Sequence, residues 1–135
     1  MLIIENYDDL LALNRALMEV RYLARDVDSA TRGSAFLSSM HSRVIDELVG
    51  YHESRGESRK AETWHEWRRL TARNIEKASI ATYLVSVWPH LKTVEQKREV
   101  VVNQARPFTF SDDEISALIE QIDSGLRKVR RTLSA

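Results

Sequence analysis

Histidine and glutamate are the residues of this chain best suited to bind a metal ion or to transfer a proton. The histidines are His41, His52, His65 and His90. His41 and His52 lie eleven residues apart, so on one helix they would share a face but stand about 16 Å from each other, too far for one metal ion. Glu62 and His65 form a single Glu-x-x-His unit, which di-iron bundles use in two copies. We therefore predict no metal site and no cofactor.

Arg59 and His65 could carry a different chemistry, the cleavage of a phosphodiester. The arginine would stabilise a phosphorane and the histidine would transfer a proton. Their spacing resembles the arginine–histidine motif of HEPN-type ribonucleases. The resemblance covers these two residues and the all-helical class, and it implies RNA cleavage without a metal ion at an interface between two subunits. In the alternative interpretation, both side chains serve only solubility and capping at the start of a helix.

The segment from Arg55 to Arg73 is the best candidate for nucleic-acid binding, because arginines contact phosphates and aromatic rings stack on bases. It contains Trp64 and Trp67. Its basic residues are Arg55, Arg59, Lys60, Arg68, Arg69 and Arg73. Glutamates are interspersed at spacings that allow local ion pairs, so the same stretch can also be a solvated helix face.

The composition limits the class of protein. The chain has 135 residues without a break in composition, which favours a single helical domain over residues 1–135. Twenty basic and twenty acidic residues give a net charge of zero, so no overall field attracts nucleic acid or an anionic membrane. Without cysteine there are no disulfides and no thiolate chemistry. Since neither a leader-like start nor a membrane-spanning apolar run occurs, we expect a cytoplasmic protein without membrane contact.

Apolar residues at helical spacing predict five helices and no strands. The predicted helices are about Asn6–Asp26, Ala35–Glu53, Glu57–Trp88, Thr93–Gln104 and Ser111–Thr132. Asn6 is placed to cap the first of them, and Thr93 and Ser111 each begin a capping box. Short connections between these helices predict an all-α, five-helix antiparallel bundle.

The predicted helix from Glu57 to Trp88 organises this bundle, since no glycine or proline occurs in it before Pro89. Steps of three and four residues form one stripe along it, made of Trp64, Trp67, Thr71, Asn74, Ala78, Ala81, Val85 and Trp88. Such a helix is about 45 Å long, whereas a compact domain of this size has a radius of gyration of about 14 Å. It therefore spans an elongated bundle, breaks near Ser79–Thr82, or is covered by a second chain.

The polar and small residues of that stripe predict an interface. A polar residue in an apolar seam can fix the choice of partner, and alanines allow close approach of helices. The candidate interface residues are Thr71, Asn74, Ala78, Ala81 and Trp88. In the alternative interpretation, Asn74 bonds a neighbouring helix and the alanines seat the first helix.

From these features we expect a small non-enzymatic protein that acts by macromolecular interaction, as a regulator, inhibitor or adaptor. Its partner would be a protein, and it would itself form a homodimer. One alternative is a nucleic-acid-binding protein that uses the stretch from Arg55 to Arg73. The second alternative is a metal-independent ribonuclease that uses Arg59 and His65.

Overall fold

The structure is a computed structural model that describes residues 1–134, and these residues form helices joined by short turns. The α-helices are α1 (Tyr7–Met18), α2 (Ser29–Arg32), α3 (Ala35–Glu53), α4 (Ser58–Trp67), α5 (Asn74–Val87), α6 (Val94–Ala105) and α7 (Asp112–Ser134). A π-helical turn at Glu19–Leu23 extends α1, and 3₁₀ turns at Leu70–Ala72 and Trp88–His90 flank α5. The all-α class is confirmed and a bundle is compatible with it, but the described residues form seven α-helices instead of five.

Local capping signals begin three of the helices as the sequence predicts. The Asn6 side chain accepts hydrogen bonds from the backbone N–H groups of Asp8 and Asp9, at 2.9 and 3.2 Å. Thr93 and Gln96 form a complete capping box at the start of α6. Ser111 and Glu114 bond reciprocally at the start of α7, at 3.0 and 3.2 Å. These ends are set by neighbours in sequence, so they could be read from it.

The apolar side chains form two clusters. The first joins α1, α3 and α4 and contains Leu10, Leu17, Val44, Ile45, Leu48, Val49 and Ala61. The second joins α5, α6 and α7 with the end of α1, and its members include Met18, Tyr22, Leu70, Ile80, Leu84, Trp88, Phe108, Ile115, Leu118 and Ile122. Trp67 packs against both clusters and therefore connects them.

The single long helix predicted from Glu57 to Trp88 is wrong, because the chain leaves helical geometry between Trp67 and Asn74. There the Leu70 N–H donates to the Thr109 carbonyl at 3.0 Å, and the Thr109 N–H donates to the Arg68 carbonyl at 2.7 Å. Leu70 is fully buried in the second cluster. Burying a leucine stabilises a fold by roughly 2 kcal/mol, more than the few tenths of a kcal/mol per residue that separate ordinary helix propensities.

The break also places the predicted stripe on two different faces. In α5 the buried side carries Glu76, Ile80 and Leu84, whereas Asn74 and Ala78 of the stripe are exposed. The break at Arg68–Arg73 also lies earlier in the chain than the possible break near Ser79–Thr82. None of the helices within residues 1–134 is both long and apolar enough to cross a membrane.

Candidate interaction surfaces

One side of α5 is exposed and carries no charged residue. We call this side the outer face of α5; it consists of Asn74, Ile75, Ala78, Thr82, Val85 and Ser86. Ile75 is 69% exposed and Val85 is 43% exposed. The exposed side of a helix in a soluble protein is normally polar and charged, and 30% of the residues in this chain are charged. The outer face of α5 therefore has the composition of a surface that is covered by another molecule.

Only some of the predicted interface residues lie on this face. Asn74 and Ala78 belong to it, and Thr71 is exposed in the turn just before α5. Ala81 is half-buried and packs against the second cluster. Trp88 is buried, and its indole Nε1–H donates to Asp123 Oδ1 at 2.7 Å. That bond is the first cause that lowers the pKa of Asp123. Because Trp88 is only 4% exposed and belongs to the second cluster, it packs in the core of the chain.

The basic stretch divides into residues with structural contacts and residues that surround a cleft. Arg68 is largely buried and bonds the Pro107 carbonyl and Asp46, at 3.0 and 2.9 Å. Arg73 pairs with the buried Glu76 at 3.0 Å, and its guanidinium lies over the Trp67 ring. Both arginines therefore hold the break between α4 and α5.

The remaining basic residues of the stretch lie on the surface. Arg69 is exposed and lies 3.7 Å from Glu62. Arg55, Arg59 and Lys60 are exposed near the start of α4. Of the six predicted basic residues, these last three are the ones that the fold gathers at one place.

Arg55 and Lys60 line a cleft of about 450 Å³ between the first turn of α1, the end of α3 and the start of α4. We call it the aromatic–basic cleft. Its lining residues are Tyr7, Tyr51, His52, Arg55, Glu57, Lys60, Thr63 and Trp64. The Tyr7 and Tyr51 rings are stacked with their centres 4.6 Å apart, and the Arg55 guanidinium lies 3.7 Å from the centre of the Tyr51 ring.

His52 fixes the floor of the aromatic–basic cleft. Its Nδ1 lies 3.2 Å from Glu57 Oε1 and its Nε2 lies 3.1 Å from the Tyr7 hydroxyl. Because a carboxylate only accepts, Nδ1–H donates to Glu57 and Nε2 accepts from Tyr7. Lys60 Nζ contacts the other oxygen of Glu57 at 3.1 Å. The pKa of Glu57 is lowered by the bond from His52 first and by Lys60 second, so this carboxyl is an anion at neutral pH.

The two residues of the ribonuclease-type pair are not brought together within the chain. Arg59 and His65 are both exposed on α4, and residues six apart on a helix lie about 9 Å apart along its axis and about 120° apart around it. His65 Nε2 lies 3.6 Å from Glu53 Oε1, whereas Glu62 lies near Arg69. Within residues 1–134 no group of three or more histidine or acidic side chains is placed to hold a metal ion.

The C-terminal half of α7 is a third exposed surface with apolar character. The seam of this helix is buried at Ile115, Leu118 and Ile122, but it continues to Val129 and to Leu133, which is 82% exposed. The flanking basic residues of this half are Arg127, Lys128, Arg130 and Arg131. We call residues 126–133 the basic end of α7. Leu126 still packs against the second cluster, whereas the described residues leave Val129 and Leu133 uncovered.

A buried polar network that was not predicted from the sequence holds the end of α1 against α6. Arg21 is fully buried, and its guanidinium donates to the carbonyls of Asn103, at 3.1 Å, and of Arg106. The Tyr22 hydroxyl donates to the Gln104 carbonyl at 2.6 Å. A cation at these carbonyls complements the negative end of the α6 dipole. The available signal was that Arg21 follows Leu10 and Leu17 at helical spacing and so falls on the buried side of α1.

Comparison with known proteins gives no match, whether to a protein-family model, to a curated protein or to a solved structure. The features that bear on function are therefore the outer face of α5, the basic end of α7 and the aromatic–basic cleft.

Proposed function

We propose that the protein acts by macromolecular interaction and not by catalysis, and that it works as a homodimer joined through the outer face of α5. The observation that carries this proposal is the exposure of Ile75 and Val85 on a helix face without any charge. Covering an aliphatic side chain stabilises an assembly by roughly 25 cal/mol for each Å² removed from water. A second copy of α5 is a suitable cover, because two uncharged faces meet without leaving a charge buried and unpaired.

The order of residues along this face supports a two-fold arrangement. In a two-fold symmetric interface the same patch of each subunit contacts itself. If two α5 helices run antiparallel with the axis beside Ile80, Ile75 lies opposite Val85 of the second copy. In the same register Ala78 lies opposite Thr82, and Asn74 lies opposite Ser86. Each of the six residues of the outer face thereby lies opposite a residue of similar size or polarity.

The sizes of these residues also suit close packing. Ala78 and Thr82 are small and lie at the centre of the register, where the helix axes of a crossing pair come closest. Ile75 and Val85 lie one to two turns further out, where the space between the helices is wider. Asn74 and Ser86 lie at the ends, where their side chains can hydrogen-bond with each other or with water.

The basic end of α7 would supply the binding surface for a protein partner. An amphipathic helix is often bound by laying its apolar side into a groove of the partner. The exposed apolar residues Val129 and Leu133 fit such a groove. Arg127 pairs with Glu120 at 2.8 Å, and the other bases, Lys128, Arg130 and Arg131, favour a groove edged by carboxylates. A homodimer would carry two such ends, which is suited to a regulator or an adaptor that connects two partner molecules.

The mass in solution tests the dimer. We expect light scattering to give about twice 15.6 kDa for the wild-type protein. Val85→Lys places a charge in the interface and should return the mass to that of one chain, with a dissociation constant raised at least tenfold. Val94→Lys is the matched control, because Val94 is also an exposed valine but begins α6. A monomeric wild-type protein at about 100 μM, or equal effects of the two variants, would contradict the proposal.

A further inference from the structure

The aromatic–basic cleft is not used by the outer face of α5 or by the basic end of α7, so its features call for a separate explanation. It combines a stacked aromatic pair, a half-buried tryptophan and two exposed cations around one opening. We propose that the cleft binds a nucleotide unit, with the base against Trp64 and the phosphate between Arg55 and Lys60. This proposal concerns a second site and does not depend on dimerisation.

The size of the cleft and its aromatic rings suit a single nucleotide. Its volume of about 450 Å³ lies within the range of small-ligand sites. The Tyr51 ring already has Tyr7 stacked on it and the Arg55 guanidinium over it. Trp64 lines the cleft and also lines the groove on its other side, beside Leu11 and Met18. The Trp64 ring meets Trp67 edge to face, with the ring centres 5.3 Å apart, and within the described residues no ring is stacked parallel on it. We therefore assign base stacking to Trp64, a contact worth about 1–3 kcal/mol per base.

The charges around the cleft favour an anion. Arg55 and Lys60 line it directly, and Arg59 precedes Lys60 on α4. Glu57 is the acidic residue among the lining residues. Its carboxylate accepts from His52 and from Lys60. An ammonium has three N–H donors, so Lys60 keeps donors for a phosphate oxygen beside its contact with Glu57. The exposed guanidinium of Arg55 matches phosphate geometry with two parallel hydrogen bonds.

The ligand can be a free nucleotide or one unit of a single strand, because a free nucleotide and a strand present the same base and phosphate. In a single strand the next phosphate would lie along α4 toward Arg59. A double helix does not fit this description, since its bases are stacked on each other and closed to Trp64. Each phosphate contacted in a single strand contributes about −0.7 to the slope of log affinity against log salt concentration. Two contacted phosphates therefore predict a slope of about −1.4.

The test is a titration of labelled oligo(U) and oligo(dT) into the full chain, followed by fluorescence anisotropy at about 50 and 200 mM salt, with AMP and UMP as competitors. Arg55→Glu and Lys60→Glu should each weaken the association at least tenfold. Lys92→Glu is the matched control, because Lys92 is an exposed lysine in the turn before α6, and it should change affinity by less than twofold. Circular dichroism should show that all three variants keep their helix content.

The outcomes separate the two sources of the ligand and can overturn the site. Competition by AMP or UMP supports a free nucleotide as ligand, whereas binding of the oligonucleotides without competition supports a single strand. Absence of saturable association with both the oligonucleotides and the mononucleotides would overturn the proposal, as would equal weakening by Arg55→Glu and Lys92→Glu. Light scattering on the same samples reports the dimer independently, so failure of one proposal is distinguishable from failure of the other.

Discussion

Arg21 Nη1 lies 2.9 Å from His41 Nδ1 inside the fold, and both side chains are fully buried. A guanidinium only donates, so Nδ1 of His41 must accept and the proton of the neutral ring lies on Nε2. The Nε2–H group then donates to Asn14 Oδ1 at 2.8 Å. Burial first, then the charges of Arg21 and Arg68, lower the pKa of His41 to about 3. The neutral imidazole is thus a structural link between the guanidinium and the amide.

This relationship predicts that the protein loses stability in mildly acidic solution. The unfolded chain binds a proton at His41 below its ordinary pKa of about 6.5, whereas the folded chain does not bind one until about pH 3. The stability that the neutral His41 ring contributes is therefore fully present above about pH 6.5, and it declines as the pH falls from there toward about 3. Each pH unit below about 6 should cost about 1.4 kcal/mol in the free energy of unfolding, measured by urea denaturation between pH 7 and 5.

His41→Gln is the control for this pH dependence. Glutamine can accept from Arg21 and donate to Asn14, but it does not titrate. The variant should have a nearly flat free energy of unfolding between pH 7 and 5, although its value at pH 7 will be lower because the amide fits the site less well. A slope equal to that of the wild-type protein would show that His41 is not the group responsible.

Leu70 should contribute more to stability than a leucine of equal size at the surface, because it holds the break between α4 and α5 in the second cluster. Leu70→Ala removes fully buried methyl groups and leaves a cavity, which costs about 2–5 kcal/mol. Leu23→Ala is the comparison, since Leu23 is about half exposed, and it should cost less than about 1 kcal/mol. Chemical denaturation measures both. Equal costs would mean that the core does not depend on the break.

The helix ends and most seams could be predicted from the sequence because neighbouring residues determine them. Asn6, Thr93 and Ser111 each find their hydrogen-bond partners within four residues. The break before Asn74 could not be predicted in this way, since it depends on Thr109, about forty residues further along the chain. The polar residues Thr71 and Asn74 were nevertheless a signal of it. They interrupt the apolar stripe in the connection between α4 and the first residue of α5, although their pattern also fits the partner interface predicted from the sequence.

The candidate sites, too, could be predicted only as far as residues close in sequence determine them. The basic residues from Arg55 to Arg73 could be recognised as a group, but the pairing of Arg68 depends on α3 and on the segment before α7. Arg73 pairs locally with Glu76, yet its guanidinium also lies over the distant Phe108 ring. The aromatic–basic cleft needs Tyr7 and Tyr51, which come from other helices and have no special spacing in the sequence. The outer face of α5 became visible only when the buried side of that helix was known.

A charge-exchange experiment tests the register of the proposed dimer. Ile75→Lys alone and Val85→Glu alone should each be monomeric, because each buries two uncompensated charges in a symmetric interface. When the two variants are mixed, the antiparallel register places the new lysine opposite the new glutamate. The unchanged Val85 and Ile75 of the two chains then meet at the other end. The mixture should therefore form a heterodimer, detected by light scattering and by co-purification of a tagged copy. Ile75→Lys mixed with Val94→Glu is the control. Val94→Glu keeps the outer face of α5 and should form its own homodimer, but it places no opposite charge beside the new lysine, so tagged Ile75→Lys should not co-purify it. If tagged Ile75→Lys retains Val94→Glu as well as it retains Val85→Glu, or retains neither while the wild-type protein is dimeric, the two chains do not meet in this register.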